Sequence, residues 1–476
     1  MYVIVILLIL GFVMLLGAEP LWRVHRGFSD RPEDSYPSYK VVPWIRRIGV
    51  LIIVVTPVWY VLGFTSCVPP AASGRSYPEI VYPDEYVEGQ DFNYTAFSTR
   101  PNTLAVTDKG IYFKTEKFVY YANFDSLKAH PLCYRLTCLH RTGGWEEYAD
   151  CNAFSGPEVG QDFLGVFRDH VYYTICYDSK FSYKGESSIP ALVRTRLDGS
   201  DRETVIPDVN QIIGNQIRIH RGVLYYPEVV ADPDGTYRYA LMAMDLTSDR
   251  FESEHLLDGA VTAGTFSEIL PYGNYIYYNE MFPEEQEDGN VLRKRRYLRY
   301  HILDRTVEAV TDYSDLQLKG IIDGRLILFD GSDYYEMDPE TKEIRISELG
   351  IQKYAESHPE WSCDAHCIRN DIAFLVSYDD MNDDGRDFIT WNRRVIDGNG
   401  EEVESVEQRN YLWPYASDQI ITIKGEDYYV WYNANVTDFS VGLYKVKDLL
   451  AGKLKPRYMF GPTDVNGLGG NGFFWP

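Results

Sequence analysis

Four residues in one short stretch have the chemistry of a metal ligand set. Cys133, Cys138 and His140 follow one another as Cys-x4-Cys-x-His, and Cys151 comes eleven residues after the histidine. Three thiolates and an imidazole suit a tetrahedral zinc ion. A second group, Cys363-Asp364-Ala365-His366-Cys367, repeats the cysteine and histidine combination and is a candidate to join the first. The same residues permit a different chemistry. With Cys176 they make six cysteines downstream of Cys67, an even number, and in an oxidising compartment these can pair as disulfides in any of about fifteen ways. Zinc and disulfides both stand open on the sequence.

Two charged segments add further candidates. Asp380, Asn382 and Asp384 set oxygen ligands at alternate positions before Gly385, as the start of a calcium loop does. Trp391 stands where such a loop carries its bidentate glutamate, and Asp-Gly is equally a hairpin turn signal. Arg293, Lys294, Arg295 and Arg296 form a dense basic run just after the acidic stretch Glu284 to Asp288. The expected arrangement is a hairpin whose charges neutralise each other; the functional alternative is a patch for an anionic cell-wall polymer or a lipid head group. No Gly-rich phosphate loop, HExxH, GxSxG elbow or dinucleotide fingerprint is present. The only cofactors suggested are a structural zinc or calcium ion.

The elements that must position these residues are strands. Aromatic residues make up 15% of the chain, with 39 tyrosines, which favours β-structure. A turn residue followed by an apolar-aromatic strand recurs seven times, as in Gly110-Ile111-Tyr112-Phe113 and Tyr275-Ile276-Tyr277-Tyr278. The markers Ile111, Val171, Leu224, Ile276, Leu326, Ile372 and Tyr428 are 60, 53, 52, 50, 46 and 56 residues apart. Alternating segments such as 191–198, 239–245 and 297–302 follow, then a turn such as Asp198-Gly199-Ser200-Asp201 and a third short strand. A period near fifty built of short strands means propeller blades. The fold class expected is therefore all-β, a seven-bladed β-propeller over 91–476. Two β-sandwiches are the competing architecture, which does not require an even period. No helix longer than about ten residues is expected after the N-terminal region except around Asp448 to Ala451.

The unit strand and the segment Leu192 to Ser200 (LVRTRLDGS) resemble the bacterial extracytoplasmic β-propellers related to the low-density-lipoprotein-receptor type, with secreted and lipoprotein members from clostridia-like bacteria the most similar. The resemblance covers roughly 90–450. Its most specific part is Leu132 to His140 followed by Cys151-Asn152-Ala153-Phe154, although here the interval from His140 to Cys151 is wide. It implies the propeller fold and an extracytoplasmic place, and no settled activity.

The first 67 residues suggest a membrane anchor. Residues 1–18 and 48–67 are apolar and uncharged, and are expected as transmembrane helices 1 and 2. The loop between them, 19–47, holds six basic and four acidic residues, which places it in the cytoplasm and residues 68–476 outside the cell. Residues 68–90 are read as a linker. Alternatively Phe64-Thr65-Ser66-Cys67 resembles a lipoprotein signal, with Cys67 lipidated. Charge narrows the partners: the whole chain carries −24, and residues 68–476 carry 40 basic against 66 acidic residues. Such a surface repels phosphate backbones, so nucleic acid is excluded as a partner. The function expected is a membrane-anchored extracytoplasmic binding module of the cell envelope. Its surface is expected in Tyr-rich loops and the channel mouth, and its partners are the membrane and an envelope protein or cell-wall carbohydrate. The alternative is a carbohydrate-active hydrolase or lyase using channel-facing carboxylates.

Overall fold

Each of the seven aromatic segments picked out by spacing becomes the second strand of a four-stranded antiparallel sheet. They are Gly110–Lys114, His170–Ile175, Val223–Ala231, Tyr275–Glu285, Arg325–Phe329, Ile372–Asp379 and Glu426–Ala434. The structure, a computed structural model, describes all residues except 1–8, 12, 17–37, 66–76, 88–89, 92–102, 115–117, 126–128, 136–137, 139–150, 157–162, 176–189, 210–211, 213–215, 232–234, 249, 260–264, 286–290, 313, 360–364, 380–388, 411–418, 424, 435–438, 454–457 and 461–476. The chain divides into two units, Met1–Pro69 with Thr463–Pro476, and Pro70–Pro462.

The second unit is a seven-bladed β-propeller. Its blades span 104–131, 164–206, 218–258, 269–309, 317–346, 365–410 and 419–460, numbered 1 to 7 below, and each takes four consecutive strands in meander order. Periodicity had shown three strands per unit. The fourth precedes the marker strand and is only three to six residues long, from Leu104–Val106 to Gln317–Ile322. A run that short leaves no alternation to detect. These first strands touch one another between blades, 1 with 2, 2 with 3, 3 with 4 and 5 with 6. They therefore form the inner layer of the propeller. Two short helices, Gly350–Ser357 and Val446–Leu449, follow blade 5 and the third strand of blade 7. The first had no expectation behind it, because eight residues carry little helical period.

The core lies in the seams between blades. Ile421, Val430 and Leu443 of blade 7 pack with Ile111 and Phe113 of blade 1, and these with Leu164 and Tyr173 of blade 2, in one cluster. Further clusters join blades 2 and 3, 3 and 4, 4 and 5, 5 and 6, and 6 and 7. The ring is thus closed. Because blade 7 draws all its strands from the end of the chain, the seam to blade 1 is made by side-chain packing and not by a shared strand.

Many tyrosines of the strands are interior. Tyr112, Tyr121, Tyr172, Tyr173, Tyr297 and Tyr334 are among the largest fully buried side chains. Their hydroxyls explain why tyrosine stands there and not phenylalanine. Tyr297 of blade 4 donates to Glu268 at 2.6 Å, and accepts from the backbone N–H of Leu318 in the first strand of blade 5 at 2.7 Å. Tyr334 of blade 5 accepts from the N–H of Ala365 in the first strand of blade 6 at 2.8 Å. Tyr112 of blade 1 donates to the carbonyl of Leu197 in blade 2 at 3.0 Å. A ring that fills a seam thus also satisfies a backbone group of the next blade.

Residues 77–87 and 90, the described later part of the stretch read as linker, and Asp91 after it pack along the hairpin turns between the first two strands of blades 2 to 4. Tyr77 donates to Asp169, and Asn274 donates to the carbonyl of Tyr82 at 2.6 Å and to Asp84 at 2.8 Å. Arg221 anchors the strap. Its side chain is fully buried and all five N–H donors are met: Nε and Nη2 by Asp91, Nη1 by the Pro83 carbonyl and Asn274, and Nη2 also by the Glu85 carbonyl. His220 beside it donates from Nε2 to the Gly273 carbonyl at 2.8 Å, and burial lowers its pKa to about 4 against the weaker pull of that bond and of Asp91.

Three outcomes are expected in denaturant unfolding of the chain. Tyr297→Phe leaves Glu268 and the Leu318 N–H unmet, costing about 1–3 kcal/mol. Arg221→Met strands the buried Asp91 carboxylate, costing about 3–5 kcal/mol. His220 has its folded pKa below its unfolded one, so its stabilisation is full above about pH 6.5 and is lost as pH falls toward 4, by up to about 1.4 kcal/mol per pH unit. His220→Gln should flatten that slope; an unchanged slope would assign it to other groups.

Candidate functional site

The zinc-like motif is the part of the sequence whose described residues converge on one point. The sulfurs of Cys133, Cys138 and Cys151 all lie within 4.8 Å of one another. Cys151 is buried, and Cys133 and Cys138 are half-buried against the core of blades 7, 1 and 2. The loop that carries them leaves blade 1 after its fourth strand, Ala129–Pro131, and returns before blade 2.

Both arms of the loop are held by the blades. On the outgoing arm, Leu132 N–H donates to the Val119 carbonyl at 2.8 Å and Cys133 N–H to the Pro131 carbonyl at 2.7 Å. Cys138 N–H closes a turn on the Arg135 carbonyl at 3.2 Å. On the returning arm, Val119 N–H donates to the Ala153 carbonyl at 2.7 Å, and Arg202 of blade 2 donates to the Cys151 carbonyl at 2.9 Å. Asn152 donates to the Gly199 carbonyl at 2.6 Å, and Tyr173 donates to the Asn152 carbonyl. The Asp198 to Asp201 turn presses on the outgoing arm so closely that a Cβ at Gly199 would lie 2.5 Å from the Leu132 carbonyl oxygen. Burial and the two neighbouring sulfurs, Cys133 first, push the Cys151 thiol well above its ordinary range.

Among the described residues there is no disulfide: none of Cys133, Cys138, Cys151 and Cys367 is joined in one. An odd trio meeting at one point cannot pair off completely within itself. Cys367 does not join the trio. It is buried in blade 6, where it packs with Phe374, Ile420 and Tyr429 at the seam to blade 7. His140, Cys67, Cys176, Cys363 and the Asp380, Asn382, Asp384 loop lie outside the described residues.

The basic run lies on the third strand of blade 4, Val291–His301, paired with Tyr275–Glu285 so that Glu280 is opposite Arg296 and Phe282 opposite Lys294. Alternation puts Glu280, Glu284, Lys294 and Arg296 on one face. There Lys294 pairs with Glu284 at 2.8 Å and Arg296 with Glu280 at 2.6 Å. Arg293 is exposed, and the Arg295 backbone N–H donates to the Ser314 carbonyl at 2.8 Å. The buried carboxylates Asp91, Glu268, Glu280 and Glu336 are likewise engaged, by Arg221, Tyr297, Arg296, and Arg345 with Ser347.

Sequence reasoning missed the Arg221, Asp91 and Asn274 anchor. The available signal was an arginine in a two-residue hairpin turn, where φ is +49° and glycine or asparagine is usual.

No protein-family model matches the chain, and no curated protein does. Among solved structures it is similar to dipeptidyl peptidase 4 of Porphyromonas gingivalis, at 11% identity and a TM-score of 0.32 over 74% of this chain and 59% of that one. An acylaminoacyl peptidase of Pyrococcus horikoshii follows at 10% identity and 0.38, over 77% and 53%. A sialidase of Trypanosoma rangeli in complex with 2,3-difluorosialic acid gives 12% and 0.28, over 62% and 55%. The chain thus spans between about half and three fifths of each of them, and likeness at this level transfers no activity.

Proposed function

We propose that the chain is a membrane-anchored extracytoplasmic β-propeller that serves as a ligand- or protein-binding scaffold of the cell envelope, akin to the low-density-lipoprotein-receptor-type bacterial propellers. The observation that carries the reading is the packing inside the N-terminal unit. Residues 9–11 and 13–16 are helical, and a second helix spans Ser38–Thr65, starting ten residues earlier than its apolar run. The two meet at glycines: a Cβ on Gly11 would lie 2.8 Å from Ile53, and one on Gly49 would lie 2.7 Å from the Gly11 carbonyl oxygen. Small residues at a helix crossing with large apolar side chains turned outward are the pattern of helices packed in lipid. Leu16 and Leu51 are 76% and 61% exposed, and Ile9 and Val54 are similarly open.

Among the described residues no helix is long and apolar enough to cross a membrane. In Ser38–Thr65 the described side chains cover 42–55, a stretch that includes Arg46 and Arg47, and the apolar residues 56–65 complete the proposed span. The basic loop 19–47 then sets the propeller outside. The binding role accords with an outer domain of net −26, from 40 basic and 66 acidic residues, which favours cationic or neutral partners over polyanions.

The test is expression of the full chain in a bacterium, followed by carbonate extraction of membranes and protease treatment of intact cells. The expected result is a carbonate-resistant chain whose propeller is cut from outside, and whose deletion of residues 1–67 frees it from the membrane. Recovery of the full chain in the soluble fraction, or protection from external protease, would sink the anchored reading. Turnover of peptidoglycan fragments or cell-wall polysaccharides by the purified chain would replace the binding role with the hydrolase or lyase alternative.

A further inference from the structure

We infer that Cys133, Cys138 and Cys151 are three thiolate ligands of one zinc ion, and that the ion staples the loop between blades 1 and 2 onto the seam of those blades. The geometry is near what the ion requires. Thiolates at about 2.3 Å from a tetrahedral zinc stand about 3.8 Å apart. The three sulfurs already lie within 4.8 Å of one another, so modest side-chain rotation closes the difference.

The supports are in place without the ion. Each arm of the loop is bonded to a blade: Leu132 and Ala153 to Val119 of blade 1, and Cys151 and Asn152 to Arg202 and Gly199 of blade 2. Such outer partners orient metal ligands and are a regular part of metal sites. The Arg202 guanidinium at the Cys151 carbonyl also suits the net negative charge of a three-thiolate zinc centre. Chemistry favours an ion over three packed thiols. A divalent cation binds thiolates outright and so accounts for three sulfurs meeting at one point. One disulfide among three cysteines would leave a thiol over, whereas zinc uses all three. The sequence offers His140, two residues after Cys138, as a further ligand type, and it lies outside the described residues. The ion closes the loop from Cys133 to Cys151 and fixes the edge of blade 1 that faces blade 2.

The experiment uses the full chain, purified in detergent with a non-thiol reductant and titrated with zinc or cobalt(II) chloride. One zinc per chain is expected. Cobalt should give an intense thiolate-to-metal charge-transfer band with the visible absorption of a tetrahedral site. Cys138→Ser, at the half-exposed ligand, should weaken zinc binding by at least about tenfold, while Cys367→Ser should leave it unchanged. Because Cys151→Ser could fail to fold, alkylation of the unmutated chain provides an independent readout. Zinc should protect Cys133, Cys138 and Cys151 together, and a chelator should expose all three. A chain that retains no zinc and gives only a solvated-cobalt spectrum overturns the site. So does an unreduced mass lower by about two daltons through a bond between two of the three.

Discussion

Everything in the propeller depends on one constraint: a four-stranded blade has two apolar faces and cannot bury either alone. The chain meets it with large aromatic side chains in every seam, each worth about 1.5–3 kcal/mol on burial. A phenylalanine ring would serve for burial, but the short innermost strands begin where the neighbouring blade ends, and their first backbone N–H groups face the seam. Tyr297 and Tyr334 each fill the gap and accept the N–H of the next blade's first strand. For Tyr112, Tyr297 and Tyr334 hydrogen-bond demand at the seams accounts for the hydroxyl.

The two features that lie beyond the repeat are both attached at seams. The strap, described over 77–87 and 90–91, runs along the inner hairpin turns of blades 2 to 4 and is locked where Arg221 meets Asp91, Asn274 and two strap carbonyls. A buried guanidinium and carboxylate are costly to desolvate, and here that cost is offset by satisfaction of every donor. The cysteine loop is clamped where blade 1 meets blade 2. The strap ties a segment distant in sequence to blades 2 to 4, and the cysteine loop bonds to blades 1 and 2, so each resists the separation of blades that would open the ring.

The charge distribution follows the same economy. Cross-strand alternation sets Glu280 and Glu284 against Arg296 and Lys294, and Arg299 is held by Glu308 and Glu340 of blades 4 and 5. The basic strand is therefore largely engaged within its own blade. Residues 68–476 keep an acidic excess, 66 acidic against 40 basic residues, which repels polyanions.

The sequence by itself determined the number of blades, the position of every second strand, the all-β class and the convergence-prone spacing of Cys133, Cys138 and Cys151, because those depend on local periodicity and short loops. It did not show the innermost strands, since a run such as Leu104–Val106 carries too few residues for a period, nor the helix Gly350–Ser357. Only the tertiary structure decided that Cys367 stands apart from the trio in blade 6, and that the tyrosines turn inward. It alone brought Asp91 to Arg221 across 130 residues of chain. The physical reason is the same in each case: these contacts join segments whose proximity is created by closing the ring, and no local pattern encodes the identity of a neighbour that arrives from another blade.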